Sequence, residues 1–174
     1  MQASIAPPQT ATYDTDFVAW THQQAALLRQ GRLGSLDIQN IAEEIEEIGK
    51  GVRREFLSRT VILITHLLKW QFQPDYRGRG WENTIRTQRR ELDELIHDNP
   101  SLISCVTDEW YSHAWRRAVE NASYETGIPE RDFPNAPTWD FDTIITPSFM
   151  PADGISSADS EPQQPPPSFP RMGM

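Results

Sequence analysis

The stretch from Asp37 to Pro74 reads DIQNIAEEIEEIGKGVRREFLSRTVILITHLLKWQFQP. Its apolar residues decide the fold class. Ile38, Ile41, Ile45, Ile48 and Val52 recur at spacings of 3, 4, 3 and 4. That is the a/d seam of a helix built to lie along another helix. Glu43, Glu44, Glu46 and Glu47 fill most of the positions between. Beyond Gly49 and Gly51 the pattern resumes with Phe56, Leu57, Val61, Ile64, Leu68 and Phe72, and it stops at Pro74. Asp37 suits the N-cap, with Leu36 and Ile41 placed as a hydrophobic staple. The sequence leaves open whether 38–73 is one kinked helix or two. A single helix of that length would span about 54 Å at roughly 1.5 Å per residue.

Working outward, Phe17, Trp20, Gln24, Leu27 and Leu28 mark a helix over about 15–30, with Asp14 as its cap and Gly31 as its stop. Downstream, Arg77-Gly78-Arg79-Gly80 closes a loop. Trp81, Ile85, Leu92, Leu95 and Ile96 then predict a third helix over about 81–98. Asn99-Pro100 predicts the start of a fourth, ending near Gly127. Residues 129–151 hold aromatics among prolines and aspartates, which predicts a strap with one short helix near 139–145. The expected fold is all-α: an up-and-down helical bundle of about four main helices, antiparallel because the connections are short. Its expected core is Phe17, Leu28, Ile41, Ile45, Ile48, Val61, Ile64, Leu68, Ile85, Leu92, Val106, Trp110 and Ala118. The expected organisation is a flexible arm over 1–12, a bundle domain with its strap over 13–151, and a disordered proline-rich tail over 152–174.

The chain has 174 residues, room for one domain and little more. Its 14 prolines outline that domain, because two long proline-free stretches, 9–73 and 75–99, leave room for long helices. Cys105 is the single cysteine, so no internal disulfide forms. The first residues lack a basic and apolar leader pattern, and no apolar run approaches the roughly 20 residues of a membrane span. A cytoplasmic protein without a membrane segment is expected. The net charge of -9 is uneven. Residues 37–47 carry acids and no base, whereas from Arg53 to Arg90 nine Lys/Arg stand against three acids.

Several blocks carry a family resemblance. They are Tyr13-Asp14-x-Asp16-Phe17-x-Ala19-Trp20, Leu36-Asp37-x-x-Asn40-Ile41-Ala42-Glu43-Glu44, His66-Leu67-Leu68-Lys69-Trp70-Gln71 with Gln73-Pro74, and Gln88-Arg89-Arg90. Asn99-Pro100-Ser101-Leu102 and Glu125-Thr126-Gly127-Ile128-Pro129 follow in the same order. From about Tyr13 to Pro151 the chain resembles the domain of unknown function family 29. The resemblance implies a small all-helical bacterial protein, mainly cyanobacterial, and implies no activity.

The residues assemble no complete catalytic constellation. Glu94-Leu95-Ile96-His97 is one Glu-x-x-His unit, but a di-metal bundle needs two. Glu109 and His113 share a helical face without further ligands. Cys105 sits in no nucleophile signature. No cofactor and no metal is expected. Ser58, Thr65, Lys69 and Gln73 form a polar stripe on an otherwise apolar helix, with His66 beside it. Two readings apply. In one, His66, Lys69 and Trp70 bound a ligand pocket. In the other, Lys69 pairs with a glutamate of the acidic stretch 37–47, and truncating a truly buried pair would cost about 3–5 kcal/mol. Arg86, Arg89 and Arg90, with Arg77, Arg79 and Trp81, suggest a basic surface. It suits nucleic acid, or pairing with the acidic stretch 37–47 of a neighbouring helix or of a second chain, and the overall charge favours the pairing. The leading expectation is a non-enzymatic interaction or adaptor module, partnered by another protein or by a second copy.

Overall fold

The computed structural model describes residues 12–152. The expected arm and tail fall, apart from Thr12 and Ala152, outside the described residues. Five α-helices follow one another: α1 Phe17–Arg29, α2 Ile38–Phe72, α3 Arg79–Asp98, α4 Asp108–Thr126 and the short α5 Phe141–Ile145. No strand occurs among the described residues, so the protein is all-α with four main helices. The segment 38–72 is one helix, and Gly49 and Gly51 do not interrupt it. Contacts gather into two compact units, Met1–Arg53 and Arg54–Met174.

In the first unit α1 lies on the opening turns of α2. Asp16, not Asp14, caps α1 by accepting from Ala19 N at 3.0 Å. Gly31 stops it in the left-handed region, at φ 68°. The buried stripe is Trp20, Gln24 and Leu27. Gln24 accepts from the Asp37 backbone at 2.9 Å, and Trp20 Nε1 donates to the Asp37 carboxylate at 3.2 Å. Asp37 also accepts from the Asn40 side chain at 2.7 Å, so one carboxylate ties α1 to the start of α2. Tyr13 OH donates to Glu44 at 2.5 Å, which helps push the phenol up to about 12.

Four expected core residues are on the surface here: Phe17, Leu28, Ile45 and Ile48 are exposed, and Ile41 is half-buried. The reason is how little of α2 is covered. α1 and the residues before it reach Asp37 and Glu44. Ile45 lies about 80° around the helix from Asp37, at roughly 100° per residue. Ile48 lies a turn beyond Glu44, the last residue so held. Leu28 stands one position past the buried stripe that ends at Leu27.

The second unit holds the dense core. Val61, Ile64, Leu68, Ile85, Leu92 and Ala118 are buried as the periodicity predicts, together with Phe56, Leu63 and Leu67. Phe56 stacks on Trp110 at 5.2 Å and meets Phe141 edge-on at 5.6 Å. α4 does not begin at Asn99-Pro100. Pro100–Cys105 is a 3-10 turn, and Asn99 instead closes α3 by donating to Leu95 O at 3.2 Å. Thr107 is the cap, accepting from Trp110 N at 3.2 Å, and Asp108 and Glu109 suit the positive end of the helix dipole. That shifts the buried face to Tyr111, Ala114, Trp115, Ala118, Val119 and Ala122. Val106 and Trp110, expected in the core, are half-buried. Gly127 ends α4 at φ 75°.

The strap beyond α4 is held by aromatic contacts and by α5. Trp115 Nε1 donates to Pro134 O at 2.9 Å, and Trp139 packs edge-on against both Trp115 and Phe149. Asp140 caps α5 by accepting from Thr143 N at 2.7 Å.

Candidate functional site

The site is built on α3. Ile85, Arg89 and Leu92 are its buried residues, at spacings of 4 and 3. An arginine therefore occupies a core position. Its guanidinium meets carbonyls rather than a carboxylate: Nε donates to Ile144 O at 2.8 Å, Nη1 to Pro147 O at 3.1 Å and Nη2 to Phe149 O at 2.6 Å. Burial pushes its pKa below the usual arginine value. Three aligned carbonyl dipoles offset part of the desolvation cost. Arg89 is thus the anchor of the strap on α3.

The anchored strap and α3 border a groove of about 680 Å³. Trp70, Ile85 and Ile96 line it from the helices, and Ile145, Pro147 and Met150 line it from the strap. Arg86, Arg89 and Arg90 reach it as well, with Glu82 and Asp93. Arg86 is exposed, and no hydrogen bond or ion pair engages it among the described residues. Arg90 is held by Glu91 at 2.8 Å and lies 3.7 Å from Glu94, and these carboxylates raise its pKa. Trp70 is fixed from behind by Arg77, whose Nε donates to Trp70 O at 2.8 Å and whose guanidinium lies 5.1 Å from the ring. The groove therefore combines apolar side chains with charges of both signs.

Of the six residues singled out from the sequence, Trp70, Arg86, Arg89 and Arg90 come together here. His66 and Lys69 are not among the groove's lining. Lys69 is buried, but its partner is Glu125 of α4 at 2.5 Å, not a glutamate of 37–47. Its ammonium also sits 4.8 Å from the Trp81 ring. Two more residues of the polar stripe follow the same seam between α2 and α4. Thr65 Oγ1 reaches Ala118 O at 3.4 Å, and Gln73 Nε2 donates to Thr126 O at 3.3 Å. Ser58 is exposed. His66 Nδ1 donates to Ile62 O at 2.9 Å, and burial lowers its pKa.

The other candidate chemistry stays dispersed. Glu94, His97, Glu109 and His113 are exposed, and Cys105 is half-buried. Among the described residues no group of three or more His, Cys, Asp or Glu side chains is arranged to hold a metal ion. No described helix is long and apolar enough to cross a membrane. Sequence reasoning missed the groove's strap side, Ile145, Pro147 and Met150. It also missed the anchoring role of Arg89, although the spacing Ile85, Arg89, Leu92 carried that signal.

A family model described as "Domain of unknown function DUF29" matches residues 12–150. No curated protein and no solved structure matches the chain.

Proposed function

The chain belongs to the DUF29 family, and from that premise we propose that it is a protein-interaction module whose α3 groove holds an apolar-faced helical segment of a partner. The observation that carries this reading is the apolar lining at Trp70, Ile85, Ile96, Ile145, Pro147 and Met150, flanked by charges of both signs at Arg86, Arg90, Glu82 and Asp93. An apolar floor supplies affinity through burial, and charges of both signs beside it fix the orientation of what enters. A protein segment suits this site better than nucleic acid. Tracking a phosphate backbone takes several free cations in a row. Here Arg89 is spent on the strap, and Arg90 is shared with Glu91 and Glu94.

The test is binding of a fluorescent amphipathic helical peptide, with acids and bases on its polar face, to the full chain, read by anisotropy. Ile96→Glu, which puts a charge on the apolar floor, should weaken it at least about tenfold, since 1.4 kcal/mol is a factor of ten. Arg89 is left intact so that the strap stays anchored. Equal binding by the variant, or tighter binding of single-stranded oligonucleotide than of peptide, would overturn the reading.

A further inference from the structure

A second pocket, of about 300 Å³, lies where the Pro100–Cys105 turn meets the start of α4 and the start of α5. Ile103, Val106 and Phe141 give it an apolar side, and Asp108, Asp140 and Asp142 a carboxylate side. Among the described residues no lysine, arginine or histidine lines it. The carboxylates by themselves have a local explanation, since Asp108 and Asp142 stand in first helical turns and Asp140 caps α5. Tyr111 has none. It lines the same pocket, is 7% exposed, and its hydroxyl has no hydrogen-bond partner among the described residues. Its ring meets Phe141 edge-on at 6.3 Å, so packing holds it there. Buried hydroxyls are nearly always paired, because leaving the bond unmade is costly. Asp140 lies near enough for its charge to raise the phenol's pKa, so the unmet hydroxyl and the carboxylates share one neighbourhood.

We infer that this pocket binds a small organic cation, an ammonium or guanidinium group on a short hydrocarbon stem. Three carboxylates with no opposing cation select positive charge and reject anions. The stem lies on Ile103, Val106 and Phe141. The N–H donors of the head meet the carboxylates of Asp108 and Asp142, and one of them meets the Tyr111 hydroxyl, which accepts. Asp140 is partly committed, because its Oδ1 accepts from Thr143 N at 2.7 Å. A bare metal ion fits less well. It needs several ligands converging on one point, and no group of three or more His, Cys, Asp or Glu among the described residues does that. An organic cation spreads its donors over a head group and needs no such convergence. The volume is at the lower end of small-molecule sites, so a cation of a few carbons fills it.

The test titrates n-butylammonium, and butylguanidinium beside it, into the full chain at constant ionic strength, followed by amide NMR shifts. At least one of the two should give saturable shifts centred on residues 103–111 and 140–143, and n-butanol and butyrate should give none. Asp108→Asn with Asp142→Asn should weaken binding at least about tenfold. Both positions are exposed, and Asp140 stays in place to cap α5. Tyr111→Phe keeps the ring and removes one hydrogen bond, so it should weaken binding roughly fivefold. Tetramethylammonium has no N–H to donate, so wild type and Tyr111→Phe should bind it alike. The amide spectrum of each variant shows whether it is folded, and the comparison with butanol and butyrate needs no variant. Shifts that do not saturate with either cation overturn the inference. So does butanol binding as well as the cation, which would leave an apolar pocket only. Equal cation binding by a folded aspartate variant, or by Tyr111→Phe, overturns it as well.

Discussion

Nη2 of Arg89 lies 2.6 Å from the carbonyl oxygen of Phe149, and the two residues are joined across sixty positions of chain. The same guanidinium holds Ile144 and Pro147. One side chain on α3 therefore docks the strap through its backbone. Arg89→Ala should destabilise the protein by about 2–4 kcal/mol, because it removes three charge-assisted hydrogen bonds and strands buried carbonyls. Arg89→Lys keeps the charge but not the fork, and should recover less than half of that. Urea unfolding measures the loss. Limited proteolysis near 145–150 should find the strap cut faster in both variants, and an unchanged cutting rate would contradict the anchor.

Lys69 and Glu125 should respond unequally to neutralisation. The lysine side chain is 10% exposed and the glutamate 42%. Glu125→Gln leaves a buried ammonium with a weaker partner and should cost about 1–2 kcal/mol, reduced from a fully buried pair by solvent access to the carboxylate. Lys69→Met leaves a carboxylate that water can reach, and it should cost less than Glu125→Gln. A double-mutant cycle gives the coupling. The reverse order of the two costs would contradict this account.

His66 makes stability depend on pH. Burial holds its pKa below the ordinary 6.5, with Lys69 adding to the effect and Glu125 and the Ile62 carbonyl opposing it. The unfolded chain then binds a proton near 6.5 that the folded chain refuses. Stability from this group is full above that value and is lost as pH falls through 6.5 toward the lower folded pKa. Urea midpoints at pH 7.5 and 5.5 should differ in the wild type, and His66→Gln should shrink the difference.

Gly49 and Gly51 lie inside α2 with nothing within 4 Å of an added Cβ. Each glycine costs a helix interior about 0.8–1.0 kcal/mol relative to alanine. Gly49→Ala and Gly51→Ala should each raise the thermal midpoint, and together they should add nearly independently. No gain in Tm would mean that the flexibility of these turns is used elsewhere.

Tyr111 is buried, and its hydroxyl has no hydrogen-bond partner among the described residues. Burial, with the charge of Asp140, drives the phenol's pKa upward. Tyr111→Phe removes an unsatisfied polar atom at almost constant shape and should stabilise by about 1 kcal/mol. A loss of stability would show that the hydroxyl is satisfied in solution.

The second unit was legible because its periodicity is satisfied inside the chain. Val61, Ile64, Leu68, Ile85 and Leu92 repeat at helical spacing and are buried. Ile45 and Ile48 repeat as regularly and are not, because a period identifies a face to be covered without saying what covers it. Arg89 was read as surface by residue type, although its spacing from Ile85 and Leu92 placed it on the buried face. The partner of Lys69 was misassigned because pairing over 56 positions depends on how helices pack, which local pattern does not encode. Asn99-Pro100 had a sound capping signature, and Thr107-Asp108-Glu109 had a better one. Part of the groove lining was legible as residue types, Trp70 and the arginines, but not as a cavity. Its other wall comes from the strap, more than fifty positions away in sequence.

Arg89 grips main-chain oxygens, which every residue type supplies. The strap's attachment is thus indifferent to the side chains at 145, 147 and 150, and those are the ones that line the groove. Substitutions at Ile145 and Met150 can reshape the binding wall while the strap keeps its place. The fold separates tethering from selectivity, and so gives related chains a route to diverge in what they hold without first solving the problem of docking again.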